Sequence, residues 1–164
     1  MRIWKNPNFY LVIGLVVIAI LFYSSSQTYQ QQSQIGMLSK VLKNEPFKEQ
    51  LSGIQFMYAG SEVSIQSEGY FSFVEFFIRK GAHFLTYFVM AGSFCLALFY
   101  KMKSIWWSAF FAWLAATGYA GLDEYHQMLT GGRTPLFQDI LLDSAGALTG
   151  VLLVLLVMNW RKKR

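Results

Sequence analysis

"LDEYHQMLTGGRTPLFQDILLDSAGALTG", residues 122–150, places Asp123, Glu124, His126, Gln127, Arg133, Asp139 and Asp143 within twenty-one positions, then runs into small residues. It joins two strongly apolar stretches of a chain that elsewhere avoids charge. On a helix, Glu124 and Gln127 are three apart and share a face, and Asp123 pairs in the same way with His126. Asp139 and Asp143 are four apart and stack one turn over the other. Continuing their face leads to Gly146 or Ala147 and then Gly150. A Gly146-x-x-x-Gly150 stripe lets a second helix approach closely, which predicts that the acids face protein. Energy points the same way. A carboxylate at the middle of a lipid-facing helix costs about 2.5–3.5 kcal/mol on insertion scales.

Composition places this stretch at the edge of a membrane. Hydrophobic residues make up 54% of the 164 positions and charged residues 14%, with a mean hydropathy of +0.34. A soluble domain carries about 25% charged residues, so this chain lacks the polar groups to wet its own surface. Four stretches are long or apolar enough to cross a bilayer: Phe9 to Tyr23, Phe84 to Tyr100, Ile105 to Leu122 and Ile140 to Trp160. With their flanks each approaches the roughly 20 residues that span about 30 Å of hydrocarbon. The expected fold is an all-α bundle of four transmembrane helices with a small extracytoplasmic cap.

Charge asymmetry orients the bundle. Arg2 and Lys5 precede the first stretch, Lys101 and Lys103 separate the second from the third, and Arg161, Lys162, Lys163 and Arg164 follow the fourth. None of these short segments holds an acid. All nine acidic residues lie between the first and second stretches or from Asp123 to Asp143. Basic segments of this kind stay inside, so both termini are expected in the cytoplasm and the acidic motif outside. The net charge of +5 follows from that topology and suits anionic headgroups; nothing in the chain suggests nucleic acid.

The basic start, the apolar run and Ser24-Ser25-Ser26 resemble a secretory signal peptide. Bulky Phe22 and Tyr23 precede the serines, and no A-x-A pattern follows, so an uncleaved anchor is expected. Cys95 is the single cysteine, which excludes an intramolecular disulfide and a thiol metal site.

Four parts are expected: 1–23 as cytoplasmic start and first span, 24–78 as a cap, 79–160 as a three-helix core, and 161–164 as a basic tail. In the cap, Ile35, Leu38, Val41 and Leu42 fall at helical spacing with Lys40 and Lys43 opposite, and Pro46 ends the pattern. Alternating runs on either side of Ala59-Gly60-Ser61 suggest a hairpin. So polar a segment cannot build an independent core. Tyr70, Phe73, Phe76 and Phe77 are expected as aromatic anchors at headgroup level.

Lys80 and His83, three apart at the start of the second span, complete the polar set. With Asp123, Glu124, Gln127, Arg133, Asp139 and Asp143 they are expected to converge on one outer pocket. Several occupants suit those residue types. The network could be structural, locking the bundle by ion pairs. Glu124, Asp139, Asp143 and His83 could hold a hard divalent metal, although no spacing specifies one. Lys80, Arg133 and His83 could grip a phosphate, and a carboxylate with histidine could serve as an acid and base. No nucleophile motif or cofactor signature is present. Gly131-Gly132 before Arg133 adds backbone freedom for close ligand approach.

"RKGAHFLTYFVMAG" and the 122–150 stretch resemble the VanZ-like family of bacterial membrane proteins, over Arg79 to Gly150. Histidine, E-x-x-Q, arginine and D-x-x-x-[ND]-x-x-G occur in order at fitting separations. By position the motif residues are Lys80, His83, Glu124, Gln127, Arg133, Asp139, Asp143 and Gly146. Asp143 stands where the family commonly has asparagine, making this pocket more acidic. The resemblance implies a Gram-positive plasma-membrane protein linked to low-level resistance to lipoglycopeptides such as teicoplanin. It supplies no mechanism. The leading expectation is a binding protein for an anionic lipid-linked wall precursor or the antibiotic itself. The alternative is an intramembrane enzyme, metal-assisted or not, acting on a phosphate or ester bond.

Overall fold

A computed structural model describes residues 6–131 and 134–162. The chain is mostly helical. Its elements in order are α1 (Pro7–Ser25), α2 (Tyr29–Gln32), α3 (Ile35–Val41), α4 (Lys48–Leu51), β1 (Phe56–Tyr58), β2 (Ser61–Val63), α5 (Ile65–Glu68), α6 (Tyr70–Met102), α7 (Ile105–Gly131) and α8 (Phe137–Lys162). Three of these, α1, α6 and α8, are long and apolar enough to cross a membrane. α7 is as long as α8, but tryptophan, serine, threonine, glycine and tyrosine dilute its hydropathy.

The long helices alternate in direction, so both ends of each can be placed. Tyr10, near the start of α1, stacks on Tyr100 near the end of α6, ring centroids 6.0 Å apart. The short 103–104 turn, with Lys103 in the left-handed region at φ +59°, returns the chain into α7 at that end. At the other end of α1, the Ser25 carbonyl accepts from Thr130 near the end of α7. The acidic residues therefore collect at one end of the bundle, and Lys101, Lys103, Arg161 and Lys162 at the opposite one.

Small residues let the helices close up. Buried Ala109, Ala112, Ala116 and Ala120 recur at three- and four-residue spacing down α7, facing Tyr87, Met90, Ala91 and Cys95 of α6. The α6–α8 seam is tighter. A Cβ added at Gly146 would come within 2.4 Å of the Phe84 carbonyl oxygen, and one at Gly150 within 2.2 Å of that of Phe88. Ser144 joins α8 to α7 by accepting from Trp113 Nε1 at 3.1 Å and lying 2.8 Å from Thr117 Oγ1. α1 is part of the packing: Val17 and Leu21 enter the same core, and the Ile18 carbonyl accepts from the Tyr119 hydroxyl.

The cap has no core of its own. Val63 and Ile65 are buried together with Tyr70 and Phe73, which belong to α6. A 33-residue helix is about 50 Å long at 1.5 Å per residue, against about 30 Å of hydrocarbon. Its first turns project, and the cap wraps them. Tyr70 and Phe73, expected as headgroup anchors, are buried inside that wrapping, while Phe77 remains exposed. The 78/79 boundary expected from sequence falls within this single helix. The hairpin forms around Ala59 and Gly60, whose φ values of +50° and +83° suit a tight two-residue turn, with Tyr58 opposite Ser61 and Phe56 opposite Val63.

Candidate functional site

At the acidic end, α6, α7, α8 and the cap enclose a cavity of about 850 Å³. Two rungs connect α6 to α8 across its floor. Lys80 donates to Asp139 Oδ1 at 2.6 Å. One turn deeper, His83 Nδ1 lies 3.4 Å from Asp143 Oδ2. The rungs exist because Lys80 and His83 are three apart, Asp139 and Asp143 are four apart, and the Gly146 and Gly150 contacts below draw the helices together.

The hairpin supplies a third group to the upper rung. The Tyr58 hydroxyl donates to the same Asp139 Oδ1 at 2.5 Å. Burial, and then the Asp139 carboxylate, push the Tyr58 phenol above its ordinary value, which keeps it protonated and donating. The Lys80 ammonium also lies 4.8 Å from the Tyr58 ring centroid and 5.6 Å from that of Phe76. Arg79, next to it, sits over the Tyr29 ring at 4.7 Å.

α7 contributes two carboxylates with different environments. Glu124 lines the cavity and accepts the Leu136 backbone N–H at 2.6 Å, fixing the chain just before α8. Asp123 turns away into the seam with α1, where Ser25 Oγ donates to it at 2.5 Å and Gln127 Nε2 at 3.2 Å. Gln127 lies between this cluster and the cavity wall. The His126 partnership that i, i+3 spacing suggests for Asp123 does not form: the His126 ring stacks on Phe22 at 4.5 Å instead. Local spacing placed the two on one face, but α1 lies across that face and takes both. Arg133 lies outside the described residues.

The structure thus brings Lys80, His83, Glu124, Gln127, Asp139 and Asp143 to one cavity and sets Asp123 behind it. Gly146 and Gly150 lie in the seam beneath. Sequence reasoning overlooked Tyr58, Glu75 and Ser25. Glu75 is buried in the cavity wall, where it accepts from the Tyr29 hydroxyl at 3.4 Å and from the Gln34 backbone N–H. The available signal was an isolated acid in an aromatic helix. Nothing local marked Ser25 or Tyr58, because their partners lie 98 and 81 residues away. Among the described residues, no three or more His, Cys, Asp or Glu side chains are grouped so as to hold a metal ion.

Fold and site together define a helical protein with three helices long and apolar enough to cross a membrane and a polar, mostly acidic cavity at one end of its bundle. The chain belongs to the VanZ/LLP1 family, whose model matches residues 9–158 and so takes in α1 and the cap as well as the motif helices. No curated protein and no solved structure matches it.

Proposed function

We propose that this chain is a multi-pass plasma-membrane protein with four membrane helices and both termini cytoplasmic. Its cavity opens to the extracytoplasmic side and binds polar groups of a lipoglycopeptide such as teicoplanin, or of an anionic lipid-linked wall precursor, lowering susceptibility to the drug. The observation that carries this reading is the cavity itself. Ligand sites are typically about 300–1,000 Å³, with a few placed polar groups among apolar walls, and Tyr58, Phe76 and Leu142 alternate here with the charged side chains. Ionisable groups inside membrane helices mark functional sites by default, and His83, Glu124 and Asp143 lie within α6, α7 and α8. The basic residues at the opposite end support the orientation.

Of the two ligand classes the sequence suggests, a lipoglycopeptide fits these walls better than an anionic precursor. Glu68, Glu75, Glu124, Asp139 and Asp143 line the cavity against Arg79 and Lys80, and Asp139 already engages Lys80. Hydroxyl, amide and amine donors would meet acceptors; a phosphate would meet carboxylates. The enzymatic reading has less support, since Lys80 and Tyr58 are both engaged by one carboxylate and, among the described residues, no serine or cysteine in the cavity wall is paired with a base.

Expression in a teicoplanin-susceptible Gram-positive host should raise the inhibitory concentration of the drug. Arg133→Ala and Glu124→Gln should abolish that gain at near-normal membrane abundance; glutamine is chosen because it can still accept the Leu136 N–H. Loss of both variants from the membrane would make the pocket scaffolding, and unchanged resistance would exclude the cavity from function. Metal analysis of purified protein, with and without Asp139→Asn, tests the alternative: stoichiometric metal lost on that change would favour an enzyme.

A further inference from the structure

The carboxylates around the cavity differ in how well they are satisfied. Asp139 accepts from Lys80 and Tyr58, Glu124 from the Leu136 N–H, and Glu75 from Tyr29 and Gln34. Glu68 is exposed to solvent, and Asp143 is the exception among the others. It is 4% exposed, its Oδ2 faces His83, and its Oδ1 is buried with no hydrogen-bond partner among the described residues. Yet Asp143 forms part of the cavity wall. Buried polar atoms are nearly always paired, and a carboxylate oxygen left without a donor is unfavourable. An unpaired acceptor on a residue that lines a cavity is matched when a ligand brings the donor.

The surrounding charge selects the kind of donor. Among the described residues, five carboxylates line the space against two permanent cations. Those cations are engaged, Lys80 with Asp139 and Arg79 over the Tyr29 ring. A cationic donor therefore gains from the whole wall, a neutral hydroxyl gains only the hydrogen bond, and a phosphate is repelled. The walls also suit an ammonium in shape: Tyr58 and Phe76 already take the Lys80 ammonium on their ring faces, an arrangement that stabilises cations. We propose that the cavity recognises a primary ammonium group on its ligand, with Asp143 Oδ1 as the acceptor. This rests on the reading of the cavity as a binding site, and it names the ligand group that the site selects.

The test uses full-length protein in lipid nanodiscs, with binding measured above that of protein-free nanodiscs. The probes are three amphiphiles sharing one saturated chain: a primary alkylamine, the corresponding alcohol and the phosphate monoester. The amine should bind at least about tenfold tighter than the alcohol, as expected for one charge-assisted hydrogen bond, and the phosphate weakest. Asp143→Asn should bring the amine to the level of the alcohol. Should that variant fail to fold, the order of the three probes on the native protein still decides the question. Equal binding of amine and alcohol would overturn the ammonium assignment and leave the cavity a binding site. Tightest binding of the phosphate would overturn it in favour of an anionic ligand. Binding of none of the three would overturn the reading of the cavity itself.

Discussion

Asp139 is the residue on which most of the cavity's geometry depends, because one of its oxygens receives both the Lys80 ammonium and the Tyr58 hydroxyl. It ties the cap to α6 and α8 at a single atom. Hydrogen bonds to a charged group contribute about 1.5–3 kcal/mol, so Tyr58→Phe and Lys80→Met should each destabilise the protein by about that much in detergent unfolding. Residues sharing one partner couple, by about 0.5–3 kcal/mol in a double-mutant cycle. The double variant should therefore depart from the sum of the singles, and strict additivity would argue against a shared acceptor. Burial and the Asp139 carboxylate hold the Tyr58 phenol above its ordinary value. The contribution of that hydroxyl should therefore be fully present below the ordinary phenol range and be lost only as pH rises beyond it. The Lys80–Asp139 pairing followed a spacing rule once both helices were recognised. Tyr58 did not, since its reach to Asp139 depends on how the hairpin folds over the bundle.

At the scale of elements, the small-residue stripe on α8 was legible from Asp139 onward, and its contacts show what it does. Gly146 and Gly150 press against the Phe84 and Phe88 carbonyls, so a methyl group at either position must push α8 away from backbone rather than from a flexible side chain. Overpacking of this kind costs about 1–3 kcal/mol. Gly146→Ala and Gly150→Ala should lower the melting temperature, whereas Gly118→Ala and Gly121→Ala, with nothing within 4 Å of the added atom, should leave it unchanged or raise it. Equal effects at all four positions would show that helix propensity, not the seam, controls the outcome. The hairpin was also legible, because Ala59-Gly60 interrupts two alternating runs. Helix length was not. Hydropathy marks where lipid would sit, while the α6 backbone stays helical from Tyr70, well before the apolar run begins. The buried face that sustains those extra turns is formed by Val63 and Ile65 of the cap, a contact no local periodicity contains.

For the whole molecule, the acids and the cavity lie at one end, and Lys101, Lys103, Arg161 and Lys162 at the other. This separation was visible in the order of charges along the chain, and so was the convergence of Lys80, His83, Glu124, Gln127, Asp139 and Asp143 on one pocket; the share of the wall supplied by Tyr29, Tyr58 and the rest of the cap was not, because it depends on how the cap folds over three helix ends. On the proposed reading this cavity faces the outside of the cell membrane, and cysteine labelling reads that orientation. The native Cys95 is buried mid-bundle, so a Cys95→Ala background leaves a clean reporter. Ser61→Cys, at the exposed tip of the hairpin, and Lys101→Cys, at the basic end, are then treated in intact cells with a membrane-impermeant maleimide. An outward-facing cavity predicts rapid labelling at position 61 and none at position 101 until the cells are permeabilised. Labelling of position 101 with protection of position 61 in intact cells would contradict it.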